Sequence, residues 1–135
     1  MQVIKAELPT NIKTLEIHTF ADEHVGDENS DLKRLQERIE YVANTHNAYC
    51  ILNGDIIDNA TRSSIGDVEA RELNIMQQIQ VGVDLFEPIK DKILCITSGN
   101  HEFRTYRKEG VDISKIIAMQ LGLEDRYAPA SALIF

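Results

Sequence analysis

Long apolar runs are missing from this chain, and none approaches the roughly 20 residues that a membrane-spanning helix needs. A secretion signal is missing as well: Met1 to Pro9 has neither an extended apolar core nor a small-residue cleavage site. Cysteine is scarce, with two in the chain. Cys50 and Cys95 both lie inside apolar, strand-like runs, where a cysteine is a small core residue and a disulfide is not expected. The protein is therefore expected to be cytoplasmic, with no membrane partner. Basic residues are few: 14 Lys and Arg stand against 22 Asp and Glu, for a net charge of −8. That balance excludes a broad basic face for nucleic acid. It leaves a nucleic-acid substrate open, because enzymes that hold phosphates through metal ions gather carboxylates, and bound cations offset part of the charge. No internal repeat or low-complexity segment is visible.

What is present is an ordinary globular composition, 43% hydrophobic and 27% charged, in 135 residues that suit a single domain. Lys13 to Phe20 alternates Leu15, Ile17 and Thr19 against Thr14, Glu16 and His18, a strand with one face inward. A polar loop from Ala21 to Asp27 follows. Ser30 or Asp31 can cap a helix whose stripe is Leu32, Leu35, Ile39 and Val42, ending near His46. Tyr49 to Leu52 reads as a short buried strand that breaks at Asn53-Gly54. Residues 59–66 are expected to be a loop. Leu73, Met76, Ile79, Val83 and Phe86 then recur at helical spacing between Val68 and Glu87, with Met76 and Phe86 as core residues and Pro88 just past the end. Ile93 to Ile96 is a third strand and opens into a loop, Ser98 to Glu102. After the charged run Arg104 to Glu109, a shorter helix carries Ile113, Ile116, Ile117 and Leu121 and closes at Gly122. The apolar end, Ala132 to Phe135, is expected to be a fourth strand.

Strands alternating with helices predict an α/β fold with a mostly parallel sheet and flanking helices. Ligands bind such sheets beyond the carboxyl ends of the strands. Three polar segments follow three successive strands and should converge there, offering Asp22, His24, Asp55, Asp58, Asn100 and His101. Carboxylates, imidazoles and an amide oxygen suit manganese, iron or zinc better than thiolate-loving ions. Two such ions roughly 3.5–4 Å apart would clamp a phosphate and activate a water. By itself, Gly54-Asp55-Ile56-Ile57-Asp58 reads more readily as an Asx turn followed by a helix cap than as chemistry; its companions overturn that reading.

Asp22-Glu23-His24, Gly54-Asp55-Ile56-Ile57-Asp58 and Gly99-Asn100-His101-Glu102 resemble the D-x-H, G-D-x-x-D and G-N-H-E/D signatures of the calcineurin-like metallophosphoesterases, in that family's order. Within the family the likeness is to phage and bacterial nuclease-like members. The resemblance covers Lys13 to the end and implies the first half of a four-layer αββα sandwich. It also implies a metal-dependent phosphoester hydrolase of phosphodiesterase or nuclease type, acting through a metal-bridging hydroxide on two divalent ions, manganese first, with iron, zinc or nickel as alternatives. By that likeness Asp22 and His24 hold the first metal, Asp55 bridges both, and Asn100 holds the second. His101 contacts the substrate phosphate, with Asp58 orienting it and Glu102 supporting the site from behind.

The family adds further histidines from a second half, and none follows His101 here. The chain is thus expected to be the N-terminal portion of such a domain, with the second metal site incomplete and the second sheet absent. The alternative is a shortened, non-catalytic domain that binds metal or a partner chain. A sheet face left uncovered would favour a homo-oligomer. His18 and His46 are expected to be half-exposed and outside the site. Arg104, Arg107 and Lys108 either reach a phosphate or form a solvated loop, and Arg62, Ser63 and Ser64 would line the rim.

Overall fold

A computed structural model describes residues 2–60 and 73–134. Its main sheet has four parallel strands: β2 (Glu16–Phe20), β3 (Ala48–Asn53), β4 (Ile93–Thr97) and β5 (Tyr127–Ala128), side by side in that order. Four helices intervene: α1 (Leu32–Asn44), α2 (Ile75–Phe86), α3 (Asn100–Glu109) and α4 (Ile113–Gln120). The fold is the expected α/β architecture with a mostly parallel sheet and flanking helices.

The helices start where their caps dictate. Asp31 accepts the Arg34 N–H and opens α1. Asn74 and Gln77 form a reciprocal capping box at the start of α2, which therefore begins at Ile75. The expected start of α2 near Val68, most of the loop at 59–66, and Arg62, Ser63 and Ser64 lie outside the described residues. Phe86 is fully buried as expected, but Met76 is 65% exposed, because it falls on the solvent side of α2. Asn100 to Glu102 is the first turn of α3, not a loop. Here Glu102, at the third helical position, accepts the Gly99 N–H at 3.2 Å. The charged run Arg104 to Glu109 continues that helix, which Gly110 closes in a left-handed conformation (φ 69°).

One core gathers Phe20 and Leu52 from the sheet, Leu35, Ile39 and Val42 from α1, Ile79 and Phe86 from α2, and Ile113 and Ile117 from α4. Because these helices share one core, they cover the same sheet face. Against the opposite face lies a second, two-stranded parallel sheet, β1 (Gln2–Ile4) paired with β6 (Ala132–Ile134). Ile4 packs there with Cys95 and Ala128, and Ile51, Ala132 and Ile134 join them. The apolar end is thus not the fourth strand of the main sheet. Tyr127–Ala128 takes that edge, and Pro129, which cannot donate to a ladder, ends it. A second sheet, expected to be absent, is present in small form. It leaves the β2 side open: Ile17 is 51% and Leu15 39% exposed.

Candidate metal centre

Three connections leave the carboxyl ends of β2, β3 and β4 and meet at one rim. The first two are zipped together. The N–H groups of His24 and Val25 donate to the Asp55 and Ile56 carbonyls at 3.0 and 2.9 Å, and Asp58 N–H returns to the Val25 carbonyl at 3.0 Å. This short parallel bridge extends the sheet beyond the ends of its strands.

Close contact between the second and third connections depends on glycine. Gly54 adopts φ 78°, and a Cβ there would overlap the backbone of Gly99. A Cβ on Gly99 would in turn overlap the Asp55 carboxylate. Asp55 Oδ1 thereby reaches the His101 N–H at 2.7 Å. Behind it, the Glu102 carboxylate, 1% exposed, accepts N–H groups from Asp55 (3.0 Å), Ile56 (2.8 Å) and Ile57 (3.2 Å) as well as from Gly99. Burial pushes the Glu102 carboxyl above its ordinary range, and the N–H donors pull the other way.

Among the described residues, four other than glycine have left-handed backbone: Asp22 (φ 58°), His24 (φ 47°), Asp55 (φ 50°) and Asn59 (φ 45°). L-residues adopt this region at a cost, so it persists where the surroundings enforce it, commonly at ligand sites. Three of the four are residues that the sequence singles out as metal ligands.

Asp22, His24 and Asp55 each present a ligand atom within 4.8 Å of the others, and His24, Asp58 and His101 do the same. An octahedral site with 2.1 Å bonds spans about 4.2 Å, so both groups could close on a divalent ion with small side-chain adjustments. His24 belongs to both groups: its Nε2 lies 3.8 Å from Asp22 Oδ1, and its Nδ1 lies 4.0 Å from Asp58 Oδ1. The sharing residue is thus an imidazole, whereas the resemblance gives that position to Asp55. The donor set of carboxylates and imidazoles suits manganese, iron or zinc.

His101 is oriented through Asp58, by the main chain. Its Nδ1 lies 2.6 Å from the Asp58 carbonyl and 3.7 Å from the Asp58 carboxylate. A carbonyl can only accept, so Nδ1 carries the hydrogen and Nε2 is left to exchange a proton or bind an ion. The His24 and His101 rings meet edge to face with centroids 4.3 Å apart. Asn100, the first residue of α3, is exposed. His18 packs on Tyr41, away from the rim, His46 is exposed, and neither joins a ligand group.

The buried support behind His101 is less visible from sequence. Asn59, fully buried, donates through its amide to the His101 carbonyl at 2.6 Å and to Thr105 at 2.9 Å. Its backbone N–H donates to Gln78 Oε1 at 3.0 Å. The available signal was Gln78 itself, a polar residue on the apolar side of α2. A cavity of about 520 Å³ opens over the centre, bounded by Asp22, His24, Asp58, His101 and the start of α1. Arg104, Arg107 and Lys108 do not line it. No helix among the described residues is long and apolar enough to cross a membrane. No family model, curated protein or solved structure matches this chain.

Proposed function

We propose that this protein is a metal-dependent phosphoester hydrolase of phosphodiesterase or nuclease type, akin to the calcineurin-like metallophosphoesterases. The observation that carries the reading is the meeting of Asp22, His24 and Asp55 beside His101 at the carboxyl ends of three parallel strands. Their left-handed backbone adds to it, since residues other than glycine hold this conformation at a cost and commonly at ligand sites.

Divalent ions bound there, manganese first, supply Lewis-acid polarisation of a phosphoryl group and activation of water. The chain's own part is positioning. Glu102 fixes the Asp55 backbone, and Gly99 leaves room for its carboxylate. His101, anchored through Nδ1, keeps Nε2 available to protonate a leaving oxygen or to hold charge developing on phosphate. Asp58 Oδ1 stands between the two imidazoles, 3.7 Å from His101 Nδ1 and 4.0 Å from His24 Nδ1.

A non-catalytic, metal-binding domain is the second reading. It is favoured by the sharing of His24 between both groups, which leaves few ligands for a second ion. Hydrolysis of bis-p-nitrophenyl phosphate with manganese decides between them. Activity in the parent chain that disappears in Asp55→Asn supports the hydrolase; a manganese-binding chain with no turnover supports the second reading.

A further inference from the structure

Two arginines from α1 stand on the wall of the cavity over the metal centre, and they differ in what they hold. Arg38 is committed. Its guanidinium donates to Glu23 Oε1 at 2.8 Å and to the Thr19 carbonyl at 2.7 Å, and it lies 4.4 Å from the centre of the Phe20 ring. Arg34 has only its backbone engaged, by Asp31 Oδ1 at 3.0 Å, and its exposed guanidinium has no partner among the described residues. The remaining charged side chains of this wall are carboxylates, chiefly Asp22, Asp27, Asp31 and Asp58. An uncommitted guanidinium in an acidic cavity is not there to balance a pair already made. Its planar fork matches the oxygens of a phosphate.

We infer that Arg34 is a second anion-binding point of this site and takes a phosphate neighbouring the one that reacts. This rests on the proposed hydrolase function and narrows its substrate. The class is a phosphoester flanked by another phosphate, as in a nucleoside bisphosphate or a nucleic-acid strand. A cavity of about 520 Å³ accommodates a group of nucleotide size. With a net charge of −8 the protein has no general attraction for polyanions, so selectivity for the second phosphate must come from a placed cation.

Calorimetric titration of the manganese-loaded chain tests this without relying on turnover. Inorganic phosphate probes the metal centre alone, and thymidine 3′,5′-bisphosphate probes both points. Arg34→Ala is expected to weaken the bisphosphate about tenfold, the scale of one hydrogen bond to a charged group. It should leave inorganic phosphate unchanged, and Arg34→Lys should recover part of the loss. Arg34 is exposed and its guanidinium is unpaired among the described residues, so a melting temperature equal to the parent's is expected for both variants. Bisphosphate binding that ignores the substitution, or an equal loss for both ligands, overturns the assignment to Arg34 while the hydrolase reading stands. If the parent chain binds neither ligand, both fail. A short 5′-phosphorylated oligonucleotide separates the sources: dependence on Arg34 with the oligonucleotide upholds a strand, and dependence with the bisphosphate alone upholds a free nucleotide.

Discussion

Asp55 and Glu102 hold each other's surroundings in place: Glu102 accepts the Asp55 N–H at 3.0 Å, and Asp55 accepts the N–H of His101, which precedes Glu102, at 2.7 Å. Two buried carboxylates thus tie the exit of β3 to the first turn of α3. Among the described residues neither is neutralised by a lysine or arginine ion pair; backbone N–H groups take that place.

Removal of Glu102 is therefore expected to cost more than a surface acid would. Glu102→Ala leaves four N–H groups, three of them buried, without their acceptor and should destabilise the fold by about 3 kcal/mol or more. Urea unfolding measures this, and a loss under about 1 kcal/mol would argue that water replaces the carboxylate.

Glycine replacements should separate steric need from backbone preference. Gly54 and Gly110 both have positive φ, but a Cβ at Gly54 meets the Gly99 backbone, whereas one at Gly110 meets nothing within 4 Å. Gly110→Ala is expected to cost about 1 kcal/mol. Gly54→Ala should cost several times that and also weaken manganese binding, as read by thermal melting with and without the ion.

Manganese is expected to stabilise the fold and to bind in two unequal steps, the tighter at Asp22, His24 and Asp55. At a hundredfold excess over the dissociation constant the gain is about 2.7 kcal/mol, provided the unfolded chain does not bind. In a calorimetric titration Asp22→Asn should remove the tighter step and His24→Ala, which takes a ligand from both groups, should remove both; chelation should reverse the gain. Two equally tight sites would contradict this ordering.

The cysteines should be silent near neutral pH and costly in alkali. Burial pushes the Cys50 thiol up to about 12 from 9.0, and it raises Cys95 as well. Between those two values the folded state keeps a proton that the unfolded chain releases, so stability falls as pH rises, by up to about 1.4 kcal/mol per unit. Burial also raises the Tyr127 phenol, which adds to the same trend. Urea unfolding across this window should show the decline, shallower in Cys50→Ala. A thiol reagent near neutral pH should label both cysteines after unfolding and neither before it.

The open part of the sheet carries the remaining expectation. By strand alternation His18 and Phe20 face the helices, so Ile17 faces away from them, half exposed. We propose that this patch mediates self-association. Light scattering is then expected to give a mass that rises with concentration, and a monomer for Ile17→Asp; a constant monomer mass in the parent chain would refute it.

The parallel sheet was legible in sequence because its signals are local. Buried strands such as Ile93 to Ile96 read as continuous apolar runs, and each polar segment follows one of them. The convergence of Asp22, Asp55 and His101 then follows from parallel topology alone. What sequence could not place depends on distant partners. Tyr127–Ala128 is too short to read as a strand, and Gln2 to Ile4 becomes one only because Ala132 to Ile134 lies beside it. Asn100 to Glu102 reads as a loop because its capping acceptor, Glu102, also serves the β3 exit. The choice between the Asp58 carbonyl and carboxylate as the partner of His101 is a matter of side-chain rotation that no spacing encodes.

The left-handed bends at Asp22, His24 and Asp55 set durability of the fold against retention of the site. Asp22 has its side chain 75% exposed, so Asp22→Gly would relax the backbone by up to about 1 kcal/mol while deleting a ligand. A library selected for heat resistance alone, with no metal present, would accordingly drift toward glycine at this position and return sturdier proteins with an emptied rim.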